Sequence, residues 1–588
     1  SPVMKESYLE GDAPTLIVRA AGTMVGLSDT VEYVIAVPDA SFEQKLTAPA
    51  GDTVRFDLPK LALGIHNVTI GAVTGKYEDK ITRTVTIVPS RLLKPVISST
   101  TDVATINGAD DRYTELTFLD AGMGKYYPEL QSLAGWWGDR TDEAVVRLEA
   151  TKLLNDAFGE TNELPEFSAN RVQASGVMLL PYADQDFDLS ARVALLGSDS
   201  AFDEGDLARY FYDRMDDEDN ALTPRQTAMA FAALSALGEP VLAQFQRAVP
   251  NLGDDPDVRL WVAIGLRAAG DDESARAVYR DLVTNQAKAQ DGYIYLASTD
   301  LETTVERTSL LAILAGGLNE PQRDQIHDYV IAMPAGDTTI PLERFLYVRE
   351  TLPHLIGDTV EFAYSLRGER RTATIANGNE VLTLKVSPEE RSQLAIEVTK
   401  GKLQVVSRYD SPLVDLNAPV DNTISVERRY QRGSPPWPKP DQPRPPQTTY
   451  KEGDIIQVSL DYELPDANCP THDEQRSSDS IIPCETYEIT DIVPSGLSVI
   501  TSNAWSAQDY SSTEGSCIDY PYRVDGQRVS YFANPDTRTS CGAKGTVFVY
   551  YARVVTPGTY VAEPAYIRST RTPDMNNHSD ASSIAITP

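Results

Sequence analysis

Cysteine is missing from the first 468 residues of this 588-residue chain, and the four present, Cys469, Cys484, Cys517 and Cys541, all lie in its final third. Thiol catalysis, thiolate metal centres and disulfides are thereby excluded from everything before Cys469. Basic charge is also short: 52 Lys and Arg stand against 86 Asp and Glu, a formal net charge of −34, so the surface repels nucleic acid and anionic membrane headgroups. No run of about 18 apolar residues occurs, which excludes a bilayer-spanning helix. Only five histidines are present, His66, His327, His354, His472 and His578, and none forms a His-Glu-x-x-His pattern or has a second histidine at helical ligand spacing. A hydrogen-bonded boundary position suits His327 better than metal ligation. A Gly-rich lysine loop and a nucleophile elbow are missing too, so nucleotide hydrolysis and serine-esterase chemistry have no motif to rest on. Nothing in the chain calls for a metal or a cofactor.

What the chain does contain is ordered by period. From about residue 12 to 90 polar and apolar residues alternate, as in Val54, Phe56 and Leu58, and the segment closes at Pro89, which predicts a small antiparallel sandwich. From 92 to 356 the period lengthens. Val146, Ala150, Leu153, Leu154 and Ala157 share one face of a helix over 141–158. Thr223 followed by Pro224 reads as a cap with a first-turn proline, and Gly238 as the exit of that helix. Residues 257–282 read as helix, tight turn at Gly270, helix, and further helices are expected over 304–315, 321–331 and 342–352. An acidic stretch, 199–219, holds nine acidic and two basic residues, but Asp216, Asp217, Glu218 and Asp219 lack the alternating spacing of a calcium loop and read as a solvated loop.

Near residue 358 the period returns to two. Asn377-Gly378 between 371–375 and 381–386, and Lys400-Gly401 between 394–398 and 403–406, are two hairpin signals in a returning β domain, 357–430. Seven prolines among residues 434–446 predict a semi-rigid strap at 431–447. Residues 448–588 read as a last β-sandwich, stapled by two disulfides whose three possible pairings the spacing leaves open; Cys469 with Cys484 and Cys517 with Cys541 is the favoured one, because local closure frees the intervening strands. Clustered cysteines in a strand-rich tail indicate an oxidised, extracytoplasmic product: secreted, periplasmic or attached to a cell surface. The chain opens on Ser1 with neither an initiator methionine nor an export signal, which suggests that a segment ahead of it has been removed.

The run from Tyr550-Tyr551-Ala552-Arg553 through Pro557-Gly558-Thr559-Tyr560 and Glu563-Pro564-Ala565-Tyr566 to Pro573-Asp574-Met575 resembles the terminal domain of bacterial alpha-2-macroglobulins, and Asp491-Ile492-Val493-Pro494-Ser495-Gly496-Leu497 resembles the strand that opens it. The order of the parts is similar to that family's C-terminal portion as well. The resemblance implies a multidomain α+β fold, with antiparallel β-sandwiches flanking an α/α toroid. The first part of the flanking β domain is expected within 1–91, the toroid at 92–356, and the two flanks should lie close together. It does not extend to the family's N-terminal macroglobulin domains or bait segment.

Members that trap proteases covalently carry Cys-x-Glu-Gln, whose thiol and glutamine acyl group form an internal thioester. The corresponding neighbourhood here reads Trp136-Trp137-Gly138-Asp139-Arg140-Thr141-Asp142-Glu143-Ala144, with Thr141, Glu143 and Ala144 near the lost motif and no cysteine in the helical array. The resemblance therefore implies a non-enzymatic protein, a non-covalent endopeptidase inhibitor or protease-binding protein, whose partner is a protein, either a protease or another surface protein. A structural or adhesive surface component is the main alternative. A glycosidase built on the toroid is the third reading: it requires two converging carboxylates in an aromatic groove, and Glu143 with Asp139 beside Trp136 and Trp137 is the best sequence candidate.

Overall fold

A computed structural model describes residues 4–20, 22, 25–75, 77–110, 112–136, 140–167, 172–173, 176–180, 184–197, 202–333, 340–376, 380–413, 420–432, 447–465, 486–500, 521, 523–533, 546–570 and 575–588. The four cysteines and the proline strap at 434–446 lie outside the described residues. The chain divides into two compact units, Ser1–Leu93 with Pro412–Pro588, and Lys94–Ser411.

In the first unit alternation builds the sheets. Val31, Tyr33, Ile35 and Val37 of strand Thr30–Val37 point into the core while the residues between them are more exposed. That strand lies in a five-stranded sheet ordered Ser7–Leu9, Tyr77–Val88, Gly64–Thr74, Thr30–Val37, Phe42–Pro49. A second sheet mixes the two ends of the chain, in the order Thr449–Lys451, Ser582–Thr587, Gly558–Ala562, Ala13–Val18, Val54–Asp57. The last sandwich sets Ser425–Arg432, Ile455–Glu463, Val547–Val554 and Leu497–Val499 in one sheet, and Arg523–Asp525, Arg528–Ala533, Tyr487–Ile492, Tyr566–Ser569 and Asn576–His578 in another. One continuous apolar cluster, from Tyr8 and Phe56 to Tyr560 and Ile586, runs through this unit.

The second unit joins a β part to a helical part. Strand Thr114–Asp120 lies between Leu382–Val386 and Leu403–Pro412, with Leu93–Thr100 beyond. A sheet of Glu369–Ile375, Val360–Leu366 and Ala395–Lys400 shares its core, where the rings of Phe118 and Phe362 stack at 5.4 Å. Strands Leu93–Thr100 and Thr114–Asp120 thus occupy the start of the 92–356 segment that periodicity assigns to helices, and the flanking strands begin at Leu93 instead of within 1–91. Both hairpin signals are also corrected. Leu382–Val386 pairs with Thr114–Asp120 and not with Glu369–Ile375, and Ala395–Lys400 pairs with Val360–Leu366 and not with Leu403–Pro412. Asn377-Gly378 lies outside the described residues, and Lys400-Gly401 carries the chain from one sheet to the other, because a turn signal reports reversal and not which strands share a ladder.

Between Thr114–Asp120 and Val360–Leu366 eleven α-helices lie among the described residues: α1 (Tyr127–Ala134), α2 (Thr141–Phe158), α3 (Phe187–Ala194), α4 (Glu204–Met215), α5 (Pro224–Ala236), α6 (Leu242–Ala248), α7 (Pro256–Ala268), α8 (Asp272–Asn285), α9 (Leu301–Gly317), α10 (Arg323–Ala332) and α11 (Ile340–Thr351). Thr223 caps α5, its hydroxyl accepting from the Gln226 N–H, and Gly238 leaves that helix at φ +79. Gly270, at φ +88, makes the tight turn from α7 to α8. Helix α3 packs on α5, α5 on α7, α7 on α9, α9 on α11, and α11 returns to α2. In α5 and α9 long runs are buried on every side, Ala228–Ser235 and Thr308–Gly316, whereas α8 buries only Ala275, Tyr279 and Leu282.

His327 is a buried helical side chain whose Nε2 lies 2.9 Å from Glu129, and Arg344 Nε donates to the other Glu129 oxygen at 2.9 Å. Burial alone would raise the Glu129 carboxyl, but charge attraction and hydrogen bonds from His327 and Arg344 together bring it down to about 2. With a depressed folded pKa, the contribution is present above the unfolded value near 4.5 and is lost as pH falls through about 2. Glu129→Gln should cost on the order of 2–3 kcal/mol at neutral pH and flatten the loss of stability between those two pH values, as read from urea unfolding followed by helix circular dichroism.

Candidate functional site

The candidate site is the entry to α2. Helix α1 ends at Gly135, and the chain returns at Arg140, whose extended backbone (φ −64, ψ 154) precedes the first turn of α2. Arg140, Thr141, Asp142, Glu143 and Ala144 are all buried, between 0 and 3% exposed. Such a density of buried polar groups is stable only when each has partners. Arg140 Nε donates to Asp142 Oδ1 at 2.9 Å, and its Nη2 donates to the second Asp142 oxygen, a bidentate pair. Glu143 reaches back to the Arg140 N–H at 3.1 Å and accepts from Trp136 Nε1 at 3.2 Å. The Thr141 N–H donates to the Leu179 carbonyl at 2.8 Å. Burial pushes the Asp142 carboxyl up, against the pull of Arg140.

The structure brings Thr141, Glu143 and Ala144 into one helical turn. A thioester needs a thiolate and an acyl donor in contact; Thr141 offers a hydroxyl and Ala144 a methyl group, so neither half of that chemistry is present at these positions. Glu143 is held by Trp136 and by the first turn. Trp137 and Asp139, the other members of the proposed carbohydrate constellation, lie outside the described residues.

A second charged cluster escaped sequence reasoning. Arg192 of α3 is 2% exposed; its Nε donates to Glu343 of α11 at 2.7 Å and its Nη2 to Glu306 of α9 at 2.5 Å. Arg225 of α5 donates to Asp188 of α3 at 2.6 Å and to Glu306 at 3.0 Å, while Ser309 Oγ donates to Glu343 at 2.5 Å. The Arg192 guanidinium also sits 5.8 Å from the Trp261 ring of α7. Two guanidinium groups therefore hold three carboxylates and tie α3, α5, α9 and α11 together. Charge pairing with Arg225 and Arg192 outweighs burial and keeps Asp188 below the usual carboxylate range. The available signal was a single arginine inside the apolar run Leu189 to Leu196, where an unpaired cation would be untenable.

Two outcomes are expected at the entry to α2. Incubation of the native protein with methylamine should add no mass to residues 127–158 and liberate no thiol there, read by peptide mass spectrometry. Arg140→Ala strands Asp142 in the interior and should cost roughly 3 kcal/mol or more, whereas the paired change Arg140→Met with Asp142→Leu should recover most of that loss in urea unfolding.

No protein-family model matches the chain, and no curated protein sequence matches it. Solved structures do. Native alpha-2-macroglobulin from Escherichia coli, spanning domain MG7 to the C-terminus, aligns over 100% of this chain and 99% of its own, with a TM-score of 0.60 and 13% identity. The native conformation of the E. coli protein aligns at a TM-score of 0.61 and 13% identity, and Salmonella alpha-2-macroglobulin reacted with methylamine at 0.60 and 14%; the present chain covers 39% and 40% of those longer chains. At such identity the likeness is one of architecture: the chain has the fold of bacterial alpha-2-macroglobulin from MG7 to the C-terminus.

Proposed function

We propose that this chain is a thioester-less relative of the bacterial alpha-2-macroglobulins, an extracytoplasmic, non-enzymatic protein that binds a protease without a covalent bond. The observation that carries this reading is the buried Arg140–Asp142 pair at the entry to α2, within a chain that follows the MG7-to-C-terminus architecture along its whole length. On this reading an ion pair and a capped helix take the place of the thiol and acyl group that trapping chemistry requires. The order of neighbours from α3 through α5, α7, α9 and α11 to α2 supports an α/α toroid, with α1, α4, α8 and α10 packed on α2, α5, α7 and α9. Disulfides in the terminal sandwich belong to the same proposal and suit an oxidising compartment.

The carboxylates described in the toroid argue against glycoside hydrolysis. Asp188, Glu306 and Glu343 are engaged by arginine, and Glu143 by Trp136 and by the Arg140 backbone. A general acid for that reaction must be held protonated and free to meet the glycosidic oxygen.

The test is to mix the native protein with a panel of endopeptidases and assay each protease on a small and on a large substrate. Binding without covalent chemistry predicts a complex on native gels that separates completely in SDS, with cleavage of the small substrate retained and cleavage of the large one suppressed. If no complex forms and both substrates are cut as before, the protease-binding reading is overturned and a structural or adhesive role takes its place.

A further inference from the structure

The sequence runs that carry the family resemblance contain residues with no part in the α2 site, among them Ser495, Leu497, Gly558, Val561 and Glu563. In the structure they meet the first sandwich. Asp12, 2% exposed, is the hub: its Oδ2 accepts from the Leu9 N–H at 3.0 Å and from Ser495 Oγ at 2.8 Å, and its Oδ1 accepts from the Val561 N–H at 2.7 Å. Arg91 Nη2 donates to the same Ser495 hydroxyl at 2.9 Å and to the Ser7 carbonyl at 3.2 Å, and the Arg91 N–H donates to Glu563 at 3.0 Å. Lys5 Nζ donates to Gln527 Oε1 at 2.8 Å and to the Leu497 carbonyl at 3.3 Å, while Gln527 Nε2 donates to Val493 O at 2.8 Å. Two cations and two carboxylates are thus gathered along one junction.

Backbone pairing across that junction is thin. Among the described residues only Ala13 with Thr559 and Pro14 with Gly558 are in register there, and proline has no N–H to give; a further bond runs from the Thr15 N–H to the Pro557 carbonyl. Gly558 is required there, because a Cβ would lie 2.6 Å from the Ala13 carbonyl. The apolar cluster beneath supplies attraction without direction. Register rests on the buried polar groups.

We propose that this seam is a conformational latch, which fastens the first sandwich to the terminal one and can open locally, uncovering the edge of strand Gly558–Ala562 while each sandwich stays folded. Burial costs each charge in the seam part of its hydration, and the hydrogen bonds named above make up for part of that loss. Burial, with Arg91 adding to it, brings Lys5 down to about 8 although Asp12 opposes the shift. Burial also pushes Asp12 and Glu563 up and Arg91 down, against the attraction between their opposite charges. Groups of this kind regain water on release, so the latch costs less to open than an apolar contact of equal area. The inference does not depend on protease binding.

Hydrogen–deuterium exchange on the intact native chain tests it, comparing wild type with Asp12→Asn and with the milder Ser495→Ala. A latch predicts roughly ten- to hundredfold faster exchange in peptides covering 5–18 and 556–566 in both variants. Protection of Thr30–Val37, in the first sandwich, and of Ile455–Glu463, in the terminal one, should be unchanged. Unchanged exchange at the seam in both variants overturns the proposal. So does loss of protection in all four segments together, which would make the seam an ordinary part of a single cooperative fold.

Discussion

Strand Thr114–Asp120 lies between Leu382–Val386 and Leu403–Pro412, and that antiparallel ladder closes the excursion in which the eleven described helices are made. Closing so long a loop costs entropy that grows only slowly with its length, so a short ladder with a good apolar face suffices. Leu116, Phe118, Val386, Leu403 and Val405 supply that face. Fixing both ends of the helical segment also constrains its course, since α1 follows Thr114–Asp120 and α11 leads into Val360–Leu366 of the sheet that shares its core. The return of α11 onto α2, and with it the burial of the α2 entry, follows from this closure.

Charge organises the interior in a way the net figure of −34 does not suggest. Cations are the scarcer species, and within each unit several buried carboxylates gather around arginines. Arg140 holds Asp142, Arg192 holds Glu343 and Glu306, and Arg344 shares Glu129 with His327. In the terminal sandwich Arg428 donates to Asp491, which also accepts from Tyr550, and Arg568 donates to Glu488. Guanidinium suits these positions because its planar donors meet a carboxylate in two directions at once. The surplus acid remains at the surface, where repulsion keeps such chains apart in solution.

The change of period near residue 358, the capped start of α5 at Thr223, the Gly270 turn and the full span of α2 could all be read along the chain, because each depends on neighbours within a few residues. The candidate site was legible only in outline. The missing cysteine excludes an internal thioester from the helical segment, but nothing in the spacing of Thr141 to Ala144 shows that Arg140 turns inward to pair with Asp142.

What the sequence determined by itself is local: helix and strand periods, caps, turns, and the absence of a thiol from the helical segment. Tertiary structure alone decided which strands share a sheet, as when Leu382–Val386 passed over its sequence neighbour for Thr114–Asp120, and which polar groups meet, as when Arg192 found Glu343 and Asp12 found Ser495. The physical reason is range. Torsional preference and capping act over a few residues, whereas ladder pairing and the desolvation of charge are settled by whatever distant segment the core brings alongside.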